Sequence, residues 1–251
     1  MLIKLGKLLK YEFRYYFRIL PSLYLVLALA ALSAGFQMRQ SDSHQGLLTL
    51  VWAALIIAIM VITFVLIIQR FTDNLLKNPG YLMFTLPVTP WTLTASKALA
   101  SLCTILMSAL SLTISALIYT TAYRGQINIG NINFRISDLQ SIGSPAEIVI
   151  FVLIGFIMIL EQICLFYAII TASRMLPRFR FAAGAVMYFL ITYHVQQPVF
   201  RLARSFQNHG DSFYSYRSLL AAVPYGITAL AFTALFFWLT GFLLQRKLNL
   251  E

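Results

Sequence analysis

The chain has 251 residues, of which 60% are hydrophobic and only 11% charged, and it carries a formal net charge of +11. Soluble domains hold about 25% charged and about 45–50% apolar residues, so this apolar surplus exceeds what one water-soluble core buries and part of the solvent must be lipid. The positive charge does not point to nucleic acid, because the Lys and Arg residues gather beside the ends of apolar runs, where they orient membrane spans.

The N-terminal run 2–18, LIKLGKLLKYEFRYYFR, sets Leu5, Leu9, Phe13, Tyr16 and Phe17 on one helical face and Lys7, Lys10, Arg14 and Arg18 on another. Residues 1–18 are expected to form an interfacial amphipathic helix, apolar toward lipid and basic toward anionic headgroups. No cleavable leader is expected, since the apolar run that follows ends at Gln37 without a small-residue cleavage pattern. The rest of the chain, 19–251, is expected to be one membrane domain of six spans.

The first span is expected over about 19–36 and the second over about 47–68. Residues 69–90 then form a loop with shape: Asn74 to Lys77 suit a short helix, Asn78-Pro79-Gly80 stops it, and Tyr81, Met83 and Phe84 present apolar side chains. Thr89 as N-cap and Pro90 at the first helical position start the third span. That span runs to about Tyr123, longer than a bilayer requires.

A polar loop over 124–146 ends in Ser144-Pro145-Ala146-Glu147, a capping box that opens the fourth span. The fifth run, 181–193, is apolar for about 13 residues, or roughly 20 Å of helix. His194, Gln196, Gln197 and Pro198 follow it. The expectation is a span that breaks and continues as a re-entrant segment over 194–216 on the outer side. The last span is expected over about 217–244.

The basic residues set the orientation. Lys4, Lys7, Lys10, Arg14, Arg18, Arg70, Lys77, Lys97, Arg174, Arg178, Arg180, Arg246 and Lys247 fall on one side of the expected spans. Arg39, Arg124, Arg135, Arg201, Arg204 and Arg217 fall on the other. Thirteen against six places both termini and the 69–90 loop in the cytoplasm, with the chain in the plasma membrane.

Chemistry-bearing motifs are few. The sequence has no GxxxxGK[ST], HExxH, GxSxG or calcium loop, so no catalytic residue, metal site or nucleotide cradle is expected on this chain. Cys103 and Cys164 lie inside apolar runs and read as packing thiols. Glu161, with Gln162 beside it, is the one acidic residue deep in a span. Two readings stay open: a cation or proton site, or an interhelical hydrogen bond. With His194 and Gln197 these residues are the candidates for the bundle interior or a translocation path. An ion-coupled transporter, a sodium exporter and a membrane sensor or assembly subunit without transport are the alternative functional classes. No internal repeat of the kind secondary transporters carry is visible.

The stretch GYLMFTLPVTPWTLTASK, with a basic residue before Gly80, then Leu86-Pro87-Val88 and Lys97, resembles the loop between the second and third spans in permeases of type-2 ABC exporters, especially small Gram-positive members. Lys77-Asn78-Pro79 stands where the broader family has an acidic pair. The resemblance implies an all-α membrane protein whose 69–90 loop is the cytoplasmic coupling helix. Asn74, Leu75, Lys77, Gly80, Tyr81, Phe84, Leu86 and Pro87 would dock a separate ATP-binding subunit that holds ATP and Mg. It further implies a dimer with a second permease copy or homologue, and outward movement of an amphipathic cargo such as an antimicrobial peptide, a drug or a lipid-like molecule.

Overall fold

A computed structural model describes residues 2–40, 47–75, 89–124, 145–174, 180–197, 201 and 216–247. Regular structure among the described residues is helical throughout: α1 (Leu2–Gln40), α2 (Leu47–Leu75), α3 (Pro90–Arg124), α4 (Pro145–Ser173), α5 (Arg180–Leu190) and α6 (Tyr216–Lys247). A π-helical turn, Ile191–Gln196, continues α5.

Five helices are long and apolar enough to cross a bilayer, over Gly6–Arg39, Leu47–Asp73, Pro90–Tyr123, Val152–Ser173 and Val223–Gln245. They leave large apolar side chains uncovered, among them Leu29, Ile57, Leu110, Val152 and Trp238. Such faces are costly in water and at home in hydrocarbon. The chain is a multi-pass membrane protein.

Helix boundaries have local causes. At the start of α3 the Thr89 carbonyl accepts the N–H groups of Thr92, at 3.0 Å, and of Leu93, at 3.3 Å, as an N-cap carbonyl does. Helix α4 opens at Pro145, whose missing N–H has no partner to lose in a first turn. The basic segment 2–18 and the first apolar run form a single 39-residue helix rather than two elements, about 58 Å long. Pro21 lies inside it. Ser22 Oγ donates to the Ile19 carbonyl at 2.8 Å, and the helix continues through the site.

Two compact units divide the chain: Met1–Asp73 with Leu99–Asn133, and Asn74–Ala98 with Phe134–Glu251. The boundary falls within α3, so Pro90 to Ala98 belong to the second unit and the rest of α3 to the first.

In the first unit α1 and α3 run parallel and α2 antiparallel to both. Tyr16 and Leu20 cluster with Leu66 and Ala100. Further along, Tyr24 meets Ser108, and Trp52 stacks on Tyr119 with ring centroids 4.6 Å apart. Gly35 lets the α1 and α3 backbones approach: a Cβ there would stand 2.6 Å from the Ala122 methyl and 2.8 Å from the Tyr119 carbonyl oxygen. Glycine at such a crossing is how membrane helices gain close contact without a hydrophobic drive between them.

In the second unit α4 and α6 run parallel, and α5 antiparallel to α4. Gly226 lies against Ile154, and Phe236 packs with Cys164, Leu165, Ala168 and Ile169. Gly184 touches Ile169 and Ser173, while Phe166 and Tyr188 stack at 5.1 Å.

Candidate functional site

Glu161 lies in the second unit, on the α4 face that packs against α5, and is 1% exposed. Its Oε1 accepts a 2.5 Å hydrogen bond from Gln196 Nε2, and Gln196 is itself 2% exposed. A carboxylate in the apolar part of a membrane bundle is stable only with partners of this kind, and no ion pair to Glu161 forms among the described residues.

The π-turn explains how Gln196 reaches it. Met187, Tyr188 and Ile191 pack on the cluster around Cys164. Continued as an α-helix, the same face would next present residue 194 or 195, three or four positions after Ile191. Residue 196, five positions on, would sit about 140° round the helix. Instead the backbone N–H of Gln197 donates to the Thr192 carbonyl, an i to i−5 bond. One extra residue is taken up in the turn, Gln196 occupies the buried face, and Val195 is left 44% exposed. Turns of this type appear mostly as single insertions, frequently at functional positions.

A second constellation is the start of α3. Thr92, Leu93, Thr94, Ser96, Lys97 and Ala98 are all buried. Tyr167 Oη donates to the Lys97 carbonyl at 3.4 Å. Trp91 packs against Phe237 at 5.5 Å between ring centroids and lies so close over Gly241 that a Cβ there would meet the indole at 2.5 Å. The helix that leaves the 69–90 loop is therefore seated between α4 and α6 from its first turn.

Polar side chains also join the helices of the first unit. Glu12 Oε2 accepts from Arg70 Nε at 2.7 Å, with the Glu12 side chain 6% exposed and that of Arg70 22%. The Arg70 guanidinium also lies 4.5 Å over the Tyr15 ring. Deeper in the bundle, Ser108 joins all three helices. Its Oγ is 2.7 Å from Tyr24 Oη and 3.0 Å from Thr63 Oγ1. Because Thr63 Oγ1 donates to the Ile59 carbonyl at 2.7 Å, Ser108 donates to Thr63 and Tyr24 donates to Ser108. The chain of donors has one direction.

Of the residues singled out from sequence, Glu161 is buried and Gln162 beside it is half-buried, while His194 and Gln197 are exposed on this chain. Asn74 and Leu75 fall in the last turn of α2. Lys77, Gly80, Tyr81, Phe84, Leu86 and Pro87 lie outside the described residues, as does most of the 194–216 segment. Sequence reasoning did not single out Gln196 as the partner of Glu161, nor Glu12 or Ser108. The signal for Glu12 was present: it is the only acid in a helical segment otherwise rich in Lys and Arg.

Comparison with protein-family models, with curated proteins and with solved structures finds no match to this chain.

Proposed function

We propose that this chain is the permease subunit of an ATP-driven type-2 ABC exporter, crossing the plasma membrane six times with both termini in the cytoplasm. The observation that carries the reading is the buried start of α3, directly after the segment GYLMFTLPVT. A force applied to the 69–90 loop passes into a helix held from Trp91 onward by α4 and α6. A driven membrane domain needs that rigidity, because a loose helix start would absorb the displacement.

The directions of the helices agree with this topology. In each unit the helices alternate as successive crossings require. The fifth of these spans is α5 with its π-turn: residues 180–197 make an unbroken helical path of 18 residues, about 27 Å long, close to the thickness of a hydrocarbon core. ATP binding and hydrolysis belong to the partner subunit, and two permease chains, identical or homologous, complete the transporter. Its cargo is amphipathic. Changes in the ATPase pair shift the permease between access states by binding one of them better.

Affinity purification of the tagged full chain from its native membrane tests the reading. A stoichiometric P-loop ATPase is expected to come with it, and Gly80→Trp and, more mildly, Phe84→Ala should lower that yield without lowering membrane insertion. Truncating a docked aromatic typically costs about 2 kcal/mol or more. An unchanged yield of the ATPase in both variants rejects the docking role of the loop. The buried Glu161 favours one other reading, an ion-coupled transporter. That reading predicts transport by the chain alone, dissipated by ionophores and indifferent to ATP.

A further inference from the structure

The basic N-terminal segment continues the first apolar run as one helix, and this sets the depth of its charges. Between Arg18 and Arg39 the helix carries no charged side chain. Those 20 residues, 19–38, rise about 30 Å, the thickness of a hydrocarbon core. Arg18 therefore marks one edge of the hydrocarbon. Arg14 lies about 6 Å further out along the axis, within a headgroup layer about 5–7 Å deep on each side. Both arginines are exposed, as is Lys10, and none of the three forms an ion pair among the described residues. Glu12, the acid of this segment, is buried and bonded to Arg70.

A groove of about 230 Å³ lies beside these charges, between α1 and α3 in the first unit. Its floor is Tyr16, Leu20 and Thr104, all buried, and Phe17, Pro21 and Met107 stand exposed along it. Residues three and four apart are neighbours on a helix surface. Arg14 thus adjoins Phe17, Arg18 adjoins Pro21, and the two arginines adjoin each other. Along α1 the groove reaches from Phe13 to Tyr24, that is from about 8 Å outside the level of Arg18 to about 9 Å inside it. It straddles the boundary between headgroups and hydrocarbon. Its hydroxyls are already used: Thr104 Oγ1 donates to the Ala100 carbonyl at 2.8 Å, Tyr24 Oη pairs with Ser108, and Tyr16 with Ser101. What the groove offers a ligand is apolar surface, with positive charge at its outer end.

A phospholipid carries a phosphate and alkyl chains in that order and at that depth. We propose that the groove holds one anionic phospholipid of the leaflet on the N-terminal side, with its phosphate at Arg14 and Arg18 and an acyl chain along Phe17, Pro21 and Met107. Guanidinium groups favour phosphate, and a zwitterionic lipid would bring a second cation to a place that already holds three. The site goes beyond the exporter reading and does not depend on it, since neither an ATPase nor a transported cargo enters its test.

The test is native mass spectrometry of the full chain in detergent, mixed with equal amounts of phosphatidylglycerol and phosphatidylcholine bearing the same palmitoyl and oleoyl chains. The adduct with one phosphatidylglycerol should exceed that with one phosphatidylcholine at least fivefold, about the contribution of a single basic side chain near an anionic surface. Arg14→Gln combined with Arg18→Gln should bring the ratio close to one. Arg39→Gln, at the far end of the same helix, should leave it unchanged. Phe17→Ala keeps every charge and should lower the phosphatidylglycerol adduct at least threefold. Inorganic phosphate in excess should not displace the lipid. Should the double variant fail to fold, either arginine substitution alone should still lower the ratio. Equal adducts of the two lipids on the unchanged chain overturn the anionic site. A ratio that survives loss of the arginines, or that falls as far in Arg39→Gln, overturns its location. An unchanged adduct in Phe17→Ala overturns the groove as the seat of the chain, and displacement by phosphate overturns the lipid as occupant.

Discussion

A buried hydroxyl or charge in these helices can be given a weight by what its loss leaves behind. Ser108 serves two helices at once, donating to Thr63 and accepting from Tyr24. Interhelical hydrogen bonds in membranes average about 0.6 kcal/mol and reach about 1.7 kcal/mol. Ser108→Ala is therefore expected to lower unfolding free energy in micelles by about 1–3 kcal/mol. Ser111 donates to the Ser108 carbonyl in its own helix, and Ser111→Ala should change stability by less than about 0.5 kcal/mol. Equal effects from the two would show that the three-helix junction is not a stabilising hub. The Glu12–Arg70 pair follows a different rule, since the two partners are unequally buried. Removing the more exposed Arg70 takes the cation from beside a buried carboxylate, and breaking a buried pair in this way costs up to about 3–5 kcal/mol. Arg70→Gln should thus destabilise more than Glu12→Gln, and the double variant should recover part of the loss. A double variant no better than Arg70→Gln alone would mean that the two side chains act independently.

At the scale of the helix, α3 depends on a small residue in α6. The Trp91 indole lies where a Gly241 side chain would be, with ring atoms 2.5 and 2.8 Å from an ideal Cβ. Gly241→Ala must push a half-buried indole out of its seat, at a cost of about 1–3 kcal/mol typical of overpacking. A smaller ring should restore room, so Trp91→Phe combined with Gly241→Ala is expected to be more stable than Gly241→Ala alone. Additive losses would place the strain elsewhere. The same helix shows what a sequence tells directly. Thr89-Pro90 marks the start of α3 and Ser144-Pro145 that of α4, because capping chemistry is local and both ends follow it. The π-turn was not legible for the complementary reason. Apolar periodicity assumes 3.6 residues per turn, and on that count Val195, not Gln196, continues the buried face of Met187 and Ile191. Glu161 could be recognised as a costly group; its partner could not, since it lies 35 residues away in a register the periodicity does not describe. Nor does Pro21 divide the N-terminal helix. Its position between a basic amphipathic run and an apolar one suggests a boundary, yet α1 passes through it, and Tyr16 and Leu20 before it and Leu23 and Tyr24 after it belong to one cluster with Leu66 and Ala100.

For the whole molecule, the decisive property is which ends of the helices share a side of the membrane. In the first unit the ends near Glu12 and Arg70 come together. In the second, the start of α3 meets the later turns of α4 and α6. Six successive crossings, as proposed, would put the N-terminus, the loop 69–90, the connection between α4 and α5, and the C-terminus on one side. That side would also carry thirteen of the nineteen basic residues, the asymmetry expected of a cytoplasmic face. Single cysteines in intact cells test the arrangement. Ser43→Cys, between α1 and α2, should react with a membrane-impermeant maleimide added outside, whereas Asn78→Cys should react only after the membrane is permeabilised. Labelling of Asn78→Cys from outside would invert the protein and remove the 69–90 loop from any cytoplasmic ATPase. Labelling of both from outside would break the alternation itself and with it the even number of crossings. The experiment is informative at two further positions, because α5 would be the shortest of the proposed crossings. Its start and its end should fall on opposite sides, so Pro177→Cys should behave like Asn78→Cys, and Asn208→Cys like Ser43→Cys. If Pro177→Cys and Asn208→Cys shared a side, α5 with its π-turn would be a re-entrant element. The chain would then cross five times and α6 would run antiparallel to α4, against the parallel packing of Gly226 on Ile154 and of Phe236 on Cys164.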